Sequence, residues 1–272
     1  MLSDIESVLI KEDVDILLVY GDTNSTIAGA LAAAKLNVPV VHVESGLRSF
    51  SRAMPEEINR VLTDHVSELM FCSSEVGATN LKNEGIVQGV HVCGDLMKDA
   101  LLKLTSNLIN SFDSPFIIAT LHRPYNTDDP RRLTAIIRQL NESETKVVLP
   151  LHPRTRNILK TNGFEFRELS NVEVVEPVGY IDMLTYLKFA DKVITDSGGV
   201  QKEAYWMRKK CITVRTETEW VETLTGNWNT LIFDHLSDIA DVASPDPKAY
   251  DANLYGNGKA AEEITSIIAD YF

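Results

Sequence analysis

Segments that are apolar throughout, each followed by a segment of helical period, succeed one another along almost the whole chain. This alternation leaves few folds open. VDILLVYGDT ends in a polar loop and is followed by the helical TIAGALAAAKL. VPVVHVES is followed by PEEINRVLTDHVS, with Pro55 at the opening helical position and acids in the first turn. ELMFCSS and VHVCGD enclose a helix around VGATNLKNEG. Strands apolar on both faces predict a parallel sheet covered by helices on both sides. After a polar stretch at 106–114 the pattern restarts with FIIATLH, PRRLTAIIRQL, KVVLPLH, RTRNILKTNG, VEVVEPV, IDMLTYLKFA, KVITDS, VQKEAYWM and CITVR. The expected class is α/β, with two Rossmann-like doubly wound domains. Two cores suit 272 residues better than one. The boundaries are placed at 1–105 and 106–254, with a last helix in 255–272 that packs back on the first domain.

A formal net charge of -13, from 39 acids and 26 bases, argues against a nucleic-acid partner. The short basic clusters Arg131–Arg132 and Arg208–Lys210 read as solvated faces of predicted helices. No apolar run approaches the roughly 20 residues of a membrane span. The opening MLSDIESVLIKEDVD has acids among its apolar positions and no basic stretch, which reads as a cytoplasmic protein without a signal peptide. Cys72, Cys93 and Cys211 are far apart, with no CxxC or Cys/His spacing, and read as buried reduced thiols; no metal site is expected.

In open α/β sheets ligands bind beyond the carboxyl ends of the strands. Asp22, Glu44, His122, His152 and Ser197 each follow a strand-like run, and two such domains facing each other would collect them in a cleft. The segment TDSGGVQKE is the clearest phosphate signal. Ser197, Gly198 and Gly199 leave a strand and open a helix, so backbone N–H groups and the helix dipole can hold a diphosphate. Glu203, early in that helix, can accept from ribose hydroxyls. Neither a GxGxxG fingerprint nor a P-loop is present. Asp22, Glu44 and Glu56 form an acid set, and carboxyls placed together can divide base and acid roles. His122 with Arg123, and His152 with Arg154, supply a proton shuttle and phosphate-clamping donors. Each feature also has a structural reading: a tight β–α turn, first-turn acids at a helix dipole, or histidines that only cap.

GDTNST, HVESGLRS, MPEEINR, LHR, LPLHPRTR, TDSGGVQKEA and TETEWVE stand in the order seen in non-hydrolysing UDP-N-acetylglucosamine 2-epimerases, which the chain resembles over nearly its whole length. The resemblance implies a glycosyltransferase-B-like pair of domains, a UDP-sugar substrate, no cofactor and a homodimer. It implies C2 epimerisation by elimination of UDP to a 2-acetamidoglucal and re-addition from the other face. Asp22, Glu44 and Glu56 would form the acid/base group, and His122 would assist the leaving diphosphate. Ser197, Gly198 and Gly199 would hold that diphosphate and Glu203 the ribose, while Arg60, one turn after Glu56, and His152 would also bind substrate. Family members open with a Gly-Thr-Arg-Pro-Glu type loop after a first strand. This chain starts at what reads as a later helix, so the first domain is expected to be incomplete and activity impaired. Tyr125 stands where glutamate is common, and Trp220 and Val221 where many members have Arg-Pro. RSFSRAMPEEINR and HPRTR are similar to the branch acting on UDP-2,3-diacetamido-glucuronic acid, so the sugar stays open between the two. A B-type glycosyltransferase, a hydrolysing epimerase and an inactive UDP-sugar-binding paralogue are the alternatives.

Overall fold

The computed structural model describes residues 1–239 and 246–272. Among them no helix is long and apolar enough to cross a membrane. The chain divides into two compact units, one formed by Met1–Ala100 with Asn253–Phe272, the other by Leu101–Ala252.

The first unit opens with α1 (Leu2–Glu12), β1 (Leu17–Tyr20), α2 (Asn24–Lys35), β2 (Val40–Ser45) and α3 (Pro55–Val66). It continues with β3 (Leu69–Cys72), α4 (Glu75–Asn83), β4 (Val90–Val92) and the start of α5 (Leu96–Thr105). The four strands form a parallel sheet in the order β1-β2-β3-β4. Helix α2 starts where it does because Thr23 and Thr26 cap each other reciprocally, with Thr26 Oγ1 also donating to the Tyr20 carbonyl at 2.7 Å. Its alanine face, Ala30, Ala32 and Ala33, packs with Leu9, Val19 and Val40 on one side of the sheet. The sequence reading of the first strand as buried is only partly met. Leu17 and Leu18 are half-buried and Tyr20 is exposed, because β1 lies at the edge of this sheet and has a neighbour on one side only.

The second unit carries β5 (Phe116–Thr120), α6 (Pro124–Thr127), α7 (Pro130–Asn141), β6 (Lys146–Pro150), α8 (Pro153–Thr161) and β7 (Val172–Val175). There follow α9 (Tyr180–Phe189), β8 (Lys192–Thr195), α10 (Gly198–Trp206), β9 (Lys210–Thr213) and β10 (Asn229–Leu231). All six strands are parallel, in the order β10-β9-β8-β5-β6-β7. The order reverses between β5 and β8, so the loops leaving those two strands diverge and open a crevice at their carboxyl ends. The core is continuous through Ile117, Ala119, Leu149, Ile194 and Ile212 of the sheet and Leu133, Ile136 and Ile137 of α7. Each such leucine or isoleucine contributes about 1.5–3 kcal/mol by leaving water.

The chain returns to the first unit through α11 (Ala260–Tyr271). Ala260 and Ile264 pack on Val41, Val43, Leu69 and Phe71, covering the sheet face opposite α2. Asp99 caps α11 by accepting from the backbone N–H groups of Ala260 and Ala261 at 3.1 and 2.8 Å. Just before it, Gly94 and Gly256 cross so closely that a Cβ on either would fall 2.8 Å from the other's Cα, and both have φ near +90°.

Two basic clusters differ from their solvated-helix reading. Arg131 is exposed, but the Arg132 guanidinium lies 3.7 Å over the Phe233 ring and donates to Asn126 Oδ1 at 2.9 Å. Arg208 to Lys210 form the turn after α10 and the first residue of β9, with Arg208 at φ 56°. The three cysteines are buried and free, and burial pushes Cys72 and Cys211 up to about 12.

Candidate active site

In the first unit, Asp22 lies in the loop just after β1 and Glu44 is the next-to-last residue of β2. Glu44 has φ +71°, and the β2–β3 register shifts between Val43 and Ser45, so the strand bulges at this residue. A left-handed glutamate costs on the order of 1–2 kcal/mol, and such strain concentrates where a side chain must be aimed. Its carboxylate lies against Gly21, where an added Cβ would sit 3.4 Å from Glu44 Oε2. Asp22 Oδ2 accepts from Arg60 Nη2 at 2.6 Å and Nε at 3.1 Å. Asn59 donates to the Asp22 carbonyl at 2.9 Å, so two successive side chains of α3 hold the loop after β1. Glu56 is half-buried in the first turn of α3, one turn before Arg60.

Beneath these groups lies a charged layer that motif reading did not single out. Asp64 accepts from Arg48 Nη1 at 2.7 Å, from the Gly46 N–H at 3.2 Å and pairs with His42 Nδ1 at 2.7 Å. His42 Nε2 donates to the Gly21 carbonyl at 2.8 Å, tying the loop after β1 to β2. Arg48 also makes a two-pronged pair with Glu84 at 2.6 and 2.7 Å. Glu57, read with Glu56 as a helix-dipole acid, is buried and accepts from Ser49 N, Ser49 Oγ, Phe50 N and Arg60 Nη1. The available signal was the i,i+3 spacing of Glu57 and Arg60.

In the second unit, His122 follows β5 and Asp196, Ser197, Gly198 and Gly199 follow β8, the two strands at the order reversal. Ser197 caps α10 by accepting from Val200 N at 3.4 Å. Gly198 and Gly199 are the first two residues of that helix, whose opening N–H groups have no intrahelical acceptor. His122 is about half exposed, and its Nδ1 pairs at 2.8 Å with the fully buried Asp196. Asp196 also accepts from the backbone of His122 and Arg123 and from Asn126 Nδ2, each at 3.0–3.1 Å. This carboxylate therefore fixes both the loop and the imidazole, leaving Nε2 as the ring's outward nitrogen. Glu203 is buried and accepts from Tyr180 Oη at 2.8 Å. His152 is exposed at the start of α8, after β6, and its Nδ1 accepts from Arg154 N at 3.2 Å. The folding thus brings Asp22 to Arg60 and His122 to the turn at 197–199, whereas His152 stands one strand further along.

Burial alone would raise the Asp196 pKa, but the hydrogen bond and charge of His122, the Asn126 amide and the Arg123 N–H outweigh it and hold it below the ordinary 3.8. A depressed carboxylate stabilises fully above its unfolded value and loses that contribution as pH falls through the folded value. Asp196→Asn is therefore expected to flatten the loss of urea midpoint between about pH 5 and pH 2. Parallel pH profiles for wild type and variant would contradict this.

A family profile described as UDP-N-acetylglucosamine 2-epimerase matches residues 1–269. The UDP-2,3-diacetamido-2,3-dideoxy-D-glucuronate 2-epimerase of Pseudomonas aeruginosa is 47% identical, over 99% of this chain and 78% of its own length. The UDP-N-acetylglucosamine 2-epimerase of Methanocaldococcus jannaschii is 40% identical, over 98% of this chain and 79% of its own. The crystal structure of the M. jannaschii UDP-GlcNAc 2-epimerase in complex with UDP-GlcNAc and UDP superposes with a TM-score of 0.88 at 38% identity, covering 99% of this chain and 79% of that one. With the motifs in order, two parallel sheets and a match along the whole chain, this protein belongs to the UDP-N-acetylglucosamine 2-epimerase family.

Proposed function

We propose that the chain catalyses non-hydrolysing C2 epimerisation of a UDP-N-acetylglucosamine-type sugar nucleotide. The observation that carries this reading is the pairing of His122 with buried Asp196 beside the 197–199 turn at the order reversal of a parallel sheet. The position at the order reversal and at a helix N-terminus supports diphosphate binding there, with an imidazole held beside it. In this reading a carboxylate among Asp22, Glu44 and Glu56 removes the C2 proton while the C1–O bond to UDP breaks. The 2-acetamidoglucal then takes a proton on the opposite face from a second carboxyl as UDP returns to C1. Two carboxyls in distinct settings suit this exchange: Asp22 bridged by Arg60, and Glu44 aimed by a bulge. His122 and the helix N–H groups stabilise the charge that develops on the departing diphosphate. Arg60 supports the reading by holding Asp22, and Glu203 by lying in the same helix as the turn.

A second substrate is favoured by one observation, the 47% identity to the Pseudomonas enzyme named for UDP-2,3-diacetamido-2,3-dideoxy-D-glucuronate. Proton NMR in deuterated water with each UDP-sugar separates the two. The expected result is the manno epimer carrying deuterium at C2 for one substrate in preference to the other. Unchanged spectra with both would sink the reading, and free UDP with free sugar would replace it by the hydrolysing reaction. The homodimer implied by the resemblance belongs to the same reading, and sedimentation equilibrium tests it.

A further inference from the structure

Helix α10 meets the segment 215–220, which follows β9, along one face. Gly198, Gln201 and Lys202 stand at i, i+3 and i+4 and so project to the same side. A Cβ on Gly198 would fall 2.8 Å from Glu219 Oε1 and 3.1 Å from Trp220 Nε1, so the segment occupies the space that the glycine leaves. Thr218 Oγ1 donates to Gln201 Oε1 at 2.7 Å, and Asn229 Nδ2 of β10 donates to the same oxygen at 3.0 Å. Arg215 holds Glu219 through Nη2 at 2.9 Å. One turn below Gly198, the Lys202 ammonium lies 3.7 Å from the centre of the Trp220 ring. Lys202 is fully buried and Trp220 is 3% exposed.

A buried ammonium needs compensation, and the negative face of an indole adds to it most strongly where water is excluded. An arginine at 220 would set a second cation against Lys202 in a buried site, so a cation on the helix and an aromatic ring on the segment suit each other.

We propose that Lys202 and Trp220 are positioning residues for the diphosphate turn. The pair pins segment 215–220 against the first turn of α10, and so keeps the N–H groups of Gly198 and Gly199 aimed at the diphosphate of the bound nucleotide. This rests on the reading of that turn as the diphosphate site. Neither side chain needs to touch substrate, so their loss weakens binding of ground state and transition state alike.

The test is titration of UDP, by calorimetry and tryptophan fluorescence, into wild type, Lys202→Met, Lys202→Arg, Trp220→Arg and the double variant Lys202→Glu with Trp220→Arg. Lys202→Met is expected to weaken UDP by about tenfold and to raise KM for the UDP-sugar in step, with kcat changed by less than about threefold. Lys202→Arg keeps the cation over the ring and restores affinity to within about threefold. Trp220→Arg alone weakens UDP at least as much as Lys202→Met, and the double variant, which replaces cation and ring by an ion pair, recovers most of the loss. Wild type that fails to bind UDP overturns the diphosphate reading and the proposal with it. Wild type that binds, with Lys202→Met unchanged, overturns the proposal alone. Where Lys202→Met does not fold, the comparison of Trp220→Arg with the double variant decides, and no recovery in the double variant overturns the pairing.

Discussion

Glu44→Gln lowers turnover by about 10²–10⁴-fold, the usual worth of a positioned general acid or base, while UDP affinity stays within about threefold. The amide has the size of the carboxylate and can occupy the same bulged position against Gly21, but it can neither take nor return a proton at C2, the exchange proposed for this acid set. Asp22→Asn is expected to act in the same direction with an added structural cost. Two nitrogens of Arg60 converge on Asp22 Oδ2, and the buried guanidinium would then depend on Glu57 alone for its negative partner among these two acids. Losing one charge-assisted bond of that kind costs about 1.5–3 kcal/mol. Steady-state kinetics, UDP calorimetry and urea melts on both variants separate the two effects. Unchanged kcat in both would remove these carboxylates from the reaction.

Asp64→Ala is expected to destabilise the first unit by about 3–5 kcal/mol, the range for breaking a buried ion pair from one side. Asp64 and Arg48 are both essentially inaccessible, and the substitution leaves Arg48 with Glu84 as its acid and removes the acceptor from His42 Nδ1. It also frees the Gly46 N–H, in a turn where no side chain fits because a Cβ would overlap the Gly77 carbonyl. A loss this large approaches the whole stability of many domains, so equilibrium urea melts should show the transition shifted far to low denaturant. A shift worth under about 1 kcal/mol would mean that the layer beneath Asp22 and Glu44 is not the support its geometry indicates. Turnover should fall with it, since His42 links this layer to the Gly21 carbonyl, next to Asp22.

Much of the fold was legible because each signal is local. FIIATLH contains β5 and KVITDS contains β8, since a short run of apolar, β-branched residues ending in polar ones reads as a buried parallel strand. Pro55, Pro130 and Pro153 each mark a first helical position. Strand β10, with only three residues and a threonine at its centre, gave no such signal, and neither did α5. The family was legible for the same reason, because motifs at strand ends keep their order in the chain. What surrounds those motifs was not. Asp196 reads as one letter of TDSGG, yet it anchors His122 across 74 residues. Arg48 meets Glu84 across 36, and Lys202 meets Trp220 across a strand.

Sequence by itself thus determined the element types, the parallel character of both sheets, the strand-end location of the acids and histidines, and membership of the family. Tertiary structure alone decided that β5 lies between β6 and β8, and so that His122 and Ser197 share a crevice. It alone decided which acids are bridged and buried and which cation stands over which ring. Periodicity is written by neighbours a few residues apart, whereas these pairings depend on strand order and register, which set distances between residues that share no local signal.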